Sequence, residues 1–139
     1  MGEWYLRAMS ESDLRALESV IARARKFGHR EHLELAWNYL ERYPLAAAMQ
    51  AMAAAIRHLA REHGTVAKYH ETMTLAWVQL VAVHRERWPA DGFEEFIARN
   101  PQLLGRDLLG DYYSPQLLWS ESARSDWIEP DLRGLPTLA

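Results

Sequence analysis

The sequence predicts an all-α protein, an antiparallel bundle of about four main helices followed by short helices and an irregular tail. Three observations carry that expectation. Apolar residues recur at helical spacing through the first two thirds of the chain. Prolines and glycines fall between those runs rather than inside them. No stretch sustains the alternation of a half-buried strand.

The first helix is expected over 13–26. Ser10 with Asp13 reads as a capping box, and Leu14, Leu17 and Ile21 follow on one face. Gly28 stands ready as a left-handed cap after Lys26. A second helix, 30–42, carries a stripe of Leu33, Ala36 and Leu40, flanked by Trp37 and Tyr39.

Pro44 suits the first turn of a third helix, 44–63, where its missing N–H costs nothing. Leu45, Met49, Met52, Ile56 and Leu59 form a seam of alternating four- and three-residue spacing along it. After Gly64, Thr65 is the expected N-cap of a fourth helix, 66–88. From Leu75 to Val83 that helix is apolar on nearly every face, interrupted by Gln79, so it should be the most buried element. Beyond the break at Pro89, Asp91 and Gly92, the segment 93–123 reads as short helical pieces and 124–139 as a tail.

The bulk numbers fit a single domain, 1–139, long enough to bury a core. Apolar residues make up 49% and charged residues 25%, which is ordinary for a globular chain. The net charge of −3, with both signs interleaved, argues against a nucleic-acid surface. With no cysteine, thiolate nucleophiles, disulfides and Cys-based zinc sites are excluded. Residues 1–10 lack a signal-peptide core, and Leu6 breaks the myristoylation pattern. The apolar run 45–56 is too short for a membrane span. A cytoplasmic protein without a membrane partner is the expectation. No Gly-rich phosphate loop and no nucleophile elbow occurs, so nothing signals a nucleotide or flavin. Ser114, before Pro115, reads as a helix N-cap.

The histidines are where chemistry concentrates. "FGHREHLELAW" (27–37) places His29 and His32 three apart, and "KYHET" places His70 about forty residues later. Short connections at Tyr43–Pro44 and Gly64–Thr65 make successive helices antiparallel neighbours. The start of helix two, the end of helix three and the start of helix four then share one end of the bundle. At about 1.5 Å per residue, His29, His58 and His70 fall at roughly the same level, with His32 about one turn away.

Imidazoles from facing helices are ingredients of bundle metal sites. One divalent ion (Zn, Fe, Ni or Cu) is expected on His29, His32 and His70, completed by His58, His63 or Glu71. Glu71 or Glu62 would serve as general base if the ion activates water. The competing reading is structural. His29 and His32 then serve a helix start, His63 answers a helix dipole, and His58 pairs with Glu62. His84 lies at the opposite end without a partner.

Trp37, Trp77 and Trp88 are expected in core and rim, and Met49, Met52 and Met73 as gap-filling core rather than copper ligands. Trp119, Arg124, Trp127, Glu129, Asp131 and Arg133 form a polar–aromatic cluster, either a lid across the bundle end or a solvated tail. Two function classes follow beside the metal-dependent one. One is a non-enzymatic interaction module whose aromatics close a homo-oligomer. The other is an apolar-ligand carrier with a cavity along Trp77 and the alanine-rich third helix.

Overall fold

The computed structural model describes residues 9–139, so the reading of the leader and of Leu6 lies outside the described residues. The main helices are α1 (Glu11–Ala24), α2 (His29–Arg42), α3 (Leu45–Glu62) and α4 (Glu71–Arg87). Shorter ones follow: α5 (Phe93–Arg99), α6 (Pro115–Leu118) and α7 (Glu121–Ser125), with 3-10 turns at Val66–Lys68, Pro101–Leu104 and Arg106–Asp111. The described residues contain no strand, and the helices pack on one another as a bundle. No described helix is long and apolar enough to cross a membrane.

Ser10 does cap α1, accepting the Asp13 N–H at 3.1 Å. The Asp13 carboxylate turns elsewhere. It is buried, accepts the Tyr43 hydroxyl at 2.8 Å and faces Arg42 at 3.4 Å, while the Tyr39 hydroxyl donates to the Asp13 carbonyl. One acidic residue thus ties the start of α1 to the end of α2. The far end of α1 departs from expectation. Arg25, at φ 60°, takes the left-handed position and returns its N–H to Ile21, so the helix ends at Ala24. Gly28, at φ −107°, is extended and opens α2 instead. The Glu31 carboxylate caps its N–H at 2.9 Å.

α4 is the central element, packed against α2, α3 and α7. Ala76, Trp77, Val78, Leu80, Val81, Ala82 and Val83 are all buried, as a helix apolar all round requires. Its partner α3 buries itself differently from its predicted seam. Met52 is sealed, but Leu45, Met49, Ile56 and Leu59 are only half-buried. The deepest positions are Ala48, Ala51, Ala53, Ala54 and Ala55, whose small side chains let neighbouring backbones approach closely. α5 caps one flank: Phe96 packs on Trp37, ring centroids 4.8 Å apart, and Glu94 holds Arg30 through two 2.7 Å bonds.

The fourth helix begins later than the sequence suggests. Val66–Lys68 forms a 3-10 turn, Tyr69 and His70 are extended, and α4 starts at Glu71. His70 is its N-cap, with Nδ1 accepting the Met73 N–H at 3.1 Å. Thr65, the expected cap, bonds back to the Ala60 carbonyl. Histidine is outside the usual capping set, which is why residues 66–70 read as helix.

The tail is a strap. The Thr72 hydroxyl, fully buried in α4, donates to the Asp126 carbonyl at 2.6 Å and accepts the Ile128 N–H at 3.1 Å. Tyr113 donates to the Ile128 carbonyl, Leu132 N–H to the Tyr112 carbonyl, and Gln79 to the Pro136 carbonyl. Gln79, the one polar interruption in the apolar run of α4, is there to hold this segment.

Candidate functional site

A half-open cavity of about 550 Å³ lies where α2, α3 and α4 come together at one end of the bundle. Phe27 and Gly28 lead into it from the α1–α2 connection, and His29 and His32 line it from the first turn of α2. Ile56 contributes from α3, and Met73, Thr74 and Trp77 from α4. Lys68, Tyr69 and His70 arrive from the segment before α4, Arg106 and Leu109 from the 3-10 turn 106–111, and Trp119 from just beyond α6. Trp119 is 63% exposed, a large apolar side chain kept at the mouth of an apolar cavity.

His29, His32 and His70 all line this cavity, and each is held differently. His29 donates from Nε2 to the Leu103 carbonyl at 2.8 Å and meets the Trp77 ring edge-on, centroids 4.4 Å apart. That bond fixes the tautomer and makes Nδ1 an acceptor. Burial lowers its pKa most, and the nearby Arg106 charge adds to the effect, against the opposing bond to Leu103.

His70 uses both nitrogens. Nδ1 accepts from Met73, so Nε2 carries the hydrogen that goes to the Leu118 carbonyl at 2.6 Å. Burial again lowers its pKa, opposed by that carbonyl and assisted by Arg124.

His32 keeps some surface toward the cavity, but its Nε2 is sealed and has no hydrogen-bond partner. Burial, with a smaller contribution from His29, pushes its pKa down to about 4, so the ring is neutral at physiological pH.

The remaining candidates lie apart from this wall. His58, half-buried, faces Glu62 on its own helix at 3.4 Å, and His63 is the exposed C-cap of α3. Glu71 is buried and accepts the Tyr69 hydroxyl at 2.6 Å. His84 bonds the Leu80 carbonyl and stacks on the exposed Trp88. Met52 is core, Met49 packs against it, and Met73 reaches the cavity. Among the described residues, no group of three or more His, Asp or Glu side chains is arranged to hold a metal ion. The donor chemistry agrees, because a metal at His70 would have to displace Met73 or Leu118.

Several cavity residues carried no sequence signal. Phe27, Lys68, Tyr69, Arg106 and Leu109 sit in connections and 3-10 turns, where no periodicity announces which way a side chain faces. The aromatic cluster is better defined. Arg124 donates to the Ala67 carbonyl, Trp127 to Glu129, and Asp131 accepts both the N–H and the hydroxyl of Ser114. Arg133 lies over the Tyr112 ring and 3.9 Å from Asp111. Of the two expectations for this segment, the contacts match the one that packs. Compared with known proteins, the chain matches no family model, no curated protein and no solved structure.

Proposed function

We propose that the protein is a small-molecule-binding module whose site is the cavity beside Trp77. The observation that carries this reading is a half-open cavity of about 550 Å³ at one end of the helical bundle, lined largely by apolar side chains. That volume falls in the range of ligand sites, and so does the character of its wall. Phe27, Ile56, Met73, Trp77, Leu109 and Trp119 supply apolar surface. A polar group would orient a guest: the acceptor nitrogen of neutral His29.

The test is a titration of ¹⁵N-labelled protein with naphthalene-sized fragments, read by amide and indole shifts. The reading expects shifts concentrated at Trp77, Trp119, His29 and Met73, and their loss in Ile56→Trp, which fills the cavity without touching a histidine. Shifts scattered over the surface, or unchanged binding by Ile56→Trp, would overturn it.

A divalent ion on His29, His32 and His70 is the rival reading, supported by the fact that all three line the cavity. It asks His70 to release one of its two hydrogen bonds. Elemental analysis of tag-free wild type beside His70→Ala separates the two. Stoichiometric metal lost in the variant would favour the ion.

A further inference from the structure

The charges around the cavity are one-sided. Lys68 and Arg106 line it from two different segments, both exposed. Neither forms an ion pair with a carboxylate among the described residues. No aspartate or glutamate lines the wall. The chain as a whole is acidic, with 19 Asp and Glu against 16 Lys and Arg, so two unopposed cations beside the cavity run against the general trend. The nearest acidic neighbour in sequence to His70, Glu71, is buried against Tyr69. The Arg106 charge is felt inside, because it acts on His29.

An apolar body alone would leave both cations facing water. An anion on the ligand would meet them at the mouth while its apolar part lies against Trp77, Met73 and Ile56. Arginine presents paired N–H donors that match carboxylate or phosphate oxygens, and lysine adds a point charge.

We infer that the cavity takes molecules that join a ring-sized apolar body to a compact anionic headgroup, carboxylate or phosphate, met by Arg106 and Lys68. This rests on the cavity being a ligand site, and it specifies the ligand's charge. Placed at solvent-exposed groups, the two charge contacts should tighten binding by roughly five- to thirty-fold over a neutral analogue. That gain should shrink as salt is raised.

The experiment is calorimetric titration of the full chain with matched probes: 1-naphthoate, 1-naphthyl phosphate, 1-naphthamide and 1-naphthylmethylamine. Each is run against wild type, Arg106→Gln and Lys68→Gln. Both substitutions are at exposed positions, and unchanged thermal unfolding confirms that each variant is folded. The expected result is at least one anion five-fold or more tighter than the amide, the amine weakest, and the gap reduced in each variant. Amide bound as tightly as both anions would overturn the headgroup inference while leaving the binding reading intact. No binding by any of the four would overturn both. A preference for phosphate over carboxylate, or the reverse, would name the headgroup within the class.

Discussion

His70 and Leu118 are joined by one bond, Nε2–H to carbonyl at 2.6 Å, that reaches across 48 residues of chain. The same imidazole caps α4 through Met73. One side chain therefore starts the central helix and anchors the segment that presents Trp119 to the cavity. The two roles are separable. His70→Asn keeps a capping oxygen but is too short for Leu118, whereas His70→Ala loses both. The expected cost is about 1 kcal/mol for Asn and about 2 kcal/mol for Ala, measured by urea unfolding. The amides of Trp119 and Ser120 should exchange faster in both variants. Wild-type stability in His70→Ala would refute the account.

Acid should loosen this end of the molecule. His32 titrates near 4 when folded and near 6.5 when unfolded, and His29 and His70 are lowered in the same sense. Well above pH 6.5 the rings are neutral in both states and contribute no pH dependence. As pH falls from 6.5 towards 4, the unfolded chain takes up protons that the folded one refuses, so stability declines through that window. Arg106 and Arg124, which act on His29 and His70, reinforce the refusal. Glu34 has the opposite sign, its pKa raised chiefly by burial, so it cannot be the source of the loss. His32 alone should account for about 1–2 kcal/mol between pH 7.5 and pH 5. Denaturant unfolding at both pH values should show a smaller decline in His32→Gln and His32→Leu than in wild type. Equal declines would refute the assignment.

The bundle was legible because periodicity reports packing directly. The apolar run of α4 and the break at Pro44 announced the helices, whereas the connection read as short at Gly64–Thr65 spans residues 63–70. What stayed hidden has physical reasons. His70 caps a helix without belonging to the residue types that normally do so, and the turn 66–68 before it therefore read as helix. Apart from Met52, the inward alanines of α3 are deeper than the larger residues of its seam because close helix approach rewards small side chains, a preference that a hydrophobic seam does not display. The cavity wall depends on 3-10 turns and on Trp119, whose facing is set by tertiary contacts. His58, expected at the level of His29 and His70, faces Glu62 on its own helix and does not line the cavity.

Asp13 offers a test of how α1 is held. Its buried carboxylate accepts from Tyr43 and faces Arg42, so Asp13→Ala takes the acceptor from the Tyr43 hydroxyl, while the partly exposed Arg42 keeps its bonds to Ser12. The expected loss is about 1–2 kcal/mol by thermal or chemical unfolding. Tyr43→Phe removes one donor and should cost about 1 kcal/mol. In a double-mutant cycle the two losses should fall short of additive, because they share one bond. Additive losses would mean that the Tyr43–Asp13 contact carries no energy of its own.

Thr72 decides whether the strap is structural. Its hydroxyl is fully buried and is both donor to Asp126 and acceptor from Ile128. Thr72→Val preserves shape and helix compatibility while leaving a carbonyl and an N–H of the strap without that partner. Such orphaned groups cost about 1–3 kcal/mol where water cannot reach them, and much less where it can. The strap's carbonyls also accept from Tyr113 and Gln79, so the variant should remain folded. Hydrogen exchange should then report faster exchange at Ile128 and Leu132 with little change inside α3, together with a lower unfolding midpoint. A Thr72→Val protein with wild-type protection at Ile128 would show that the segment is held by its flanks, Tyr113 and Gln79, rather than by the threonine between them.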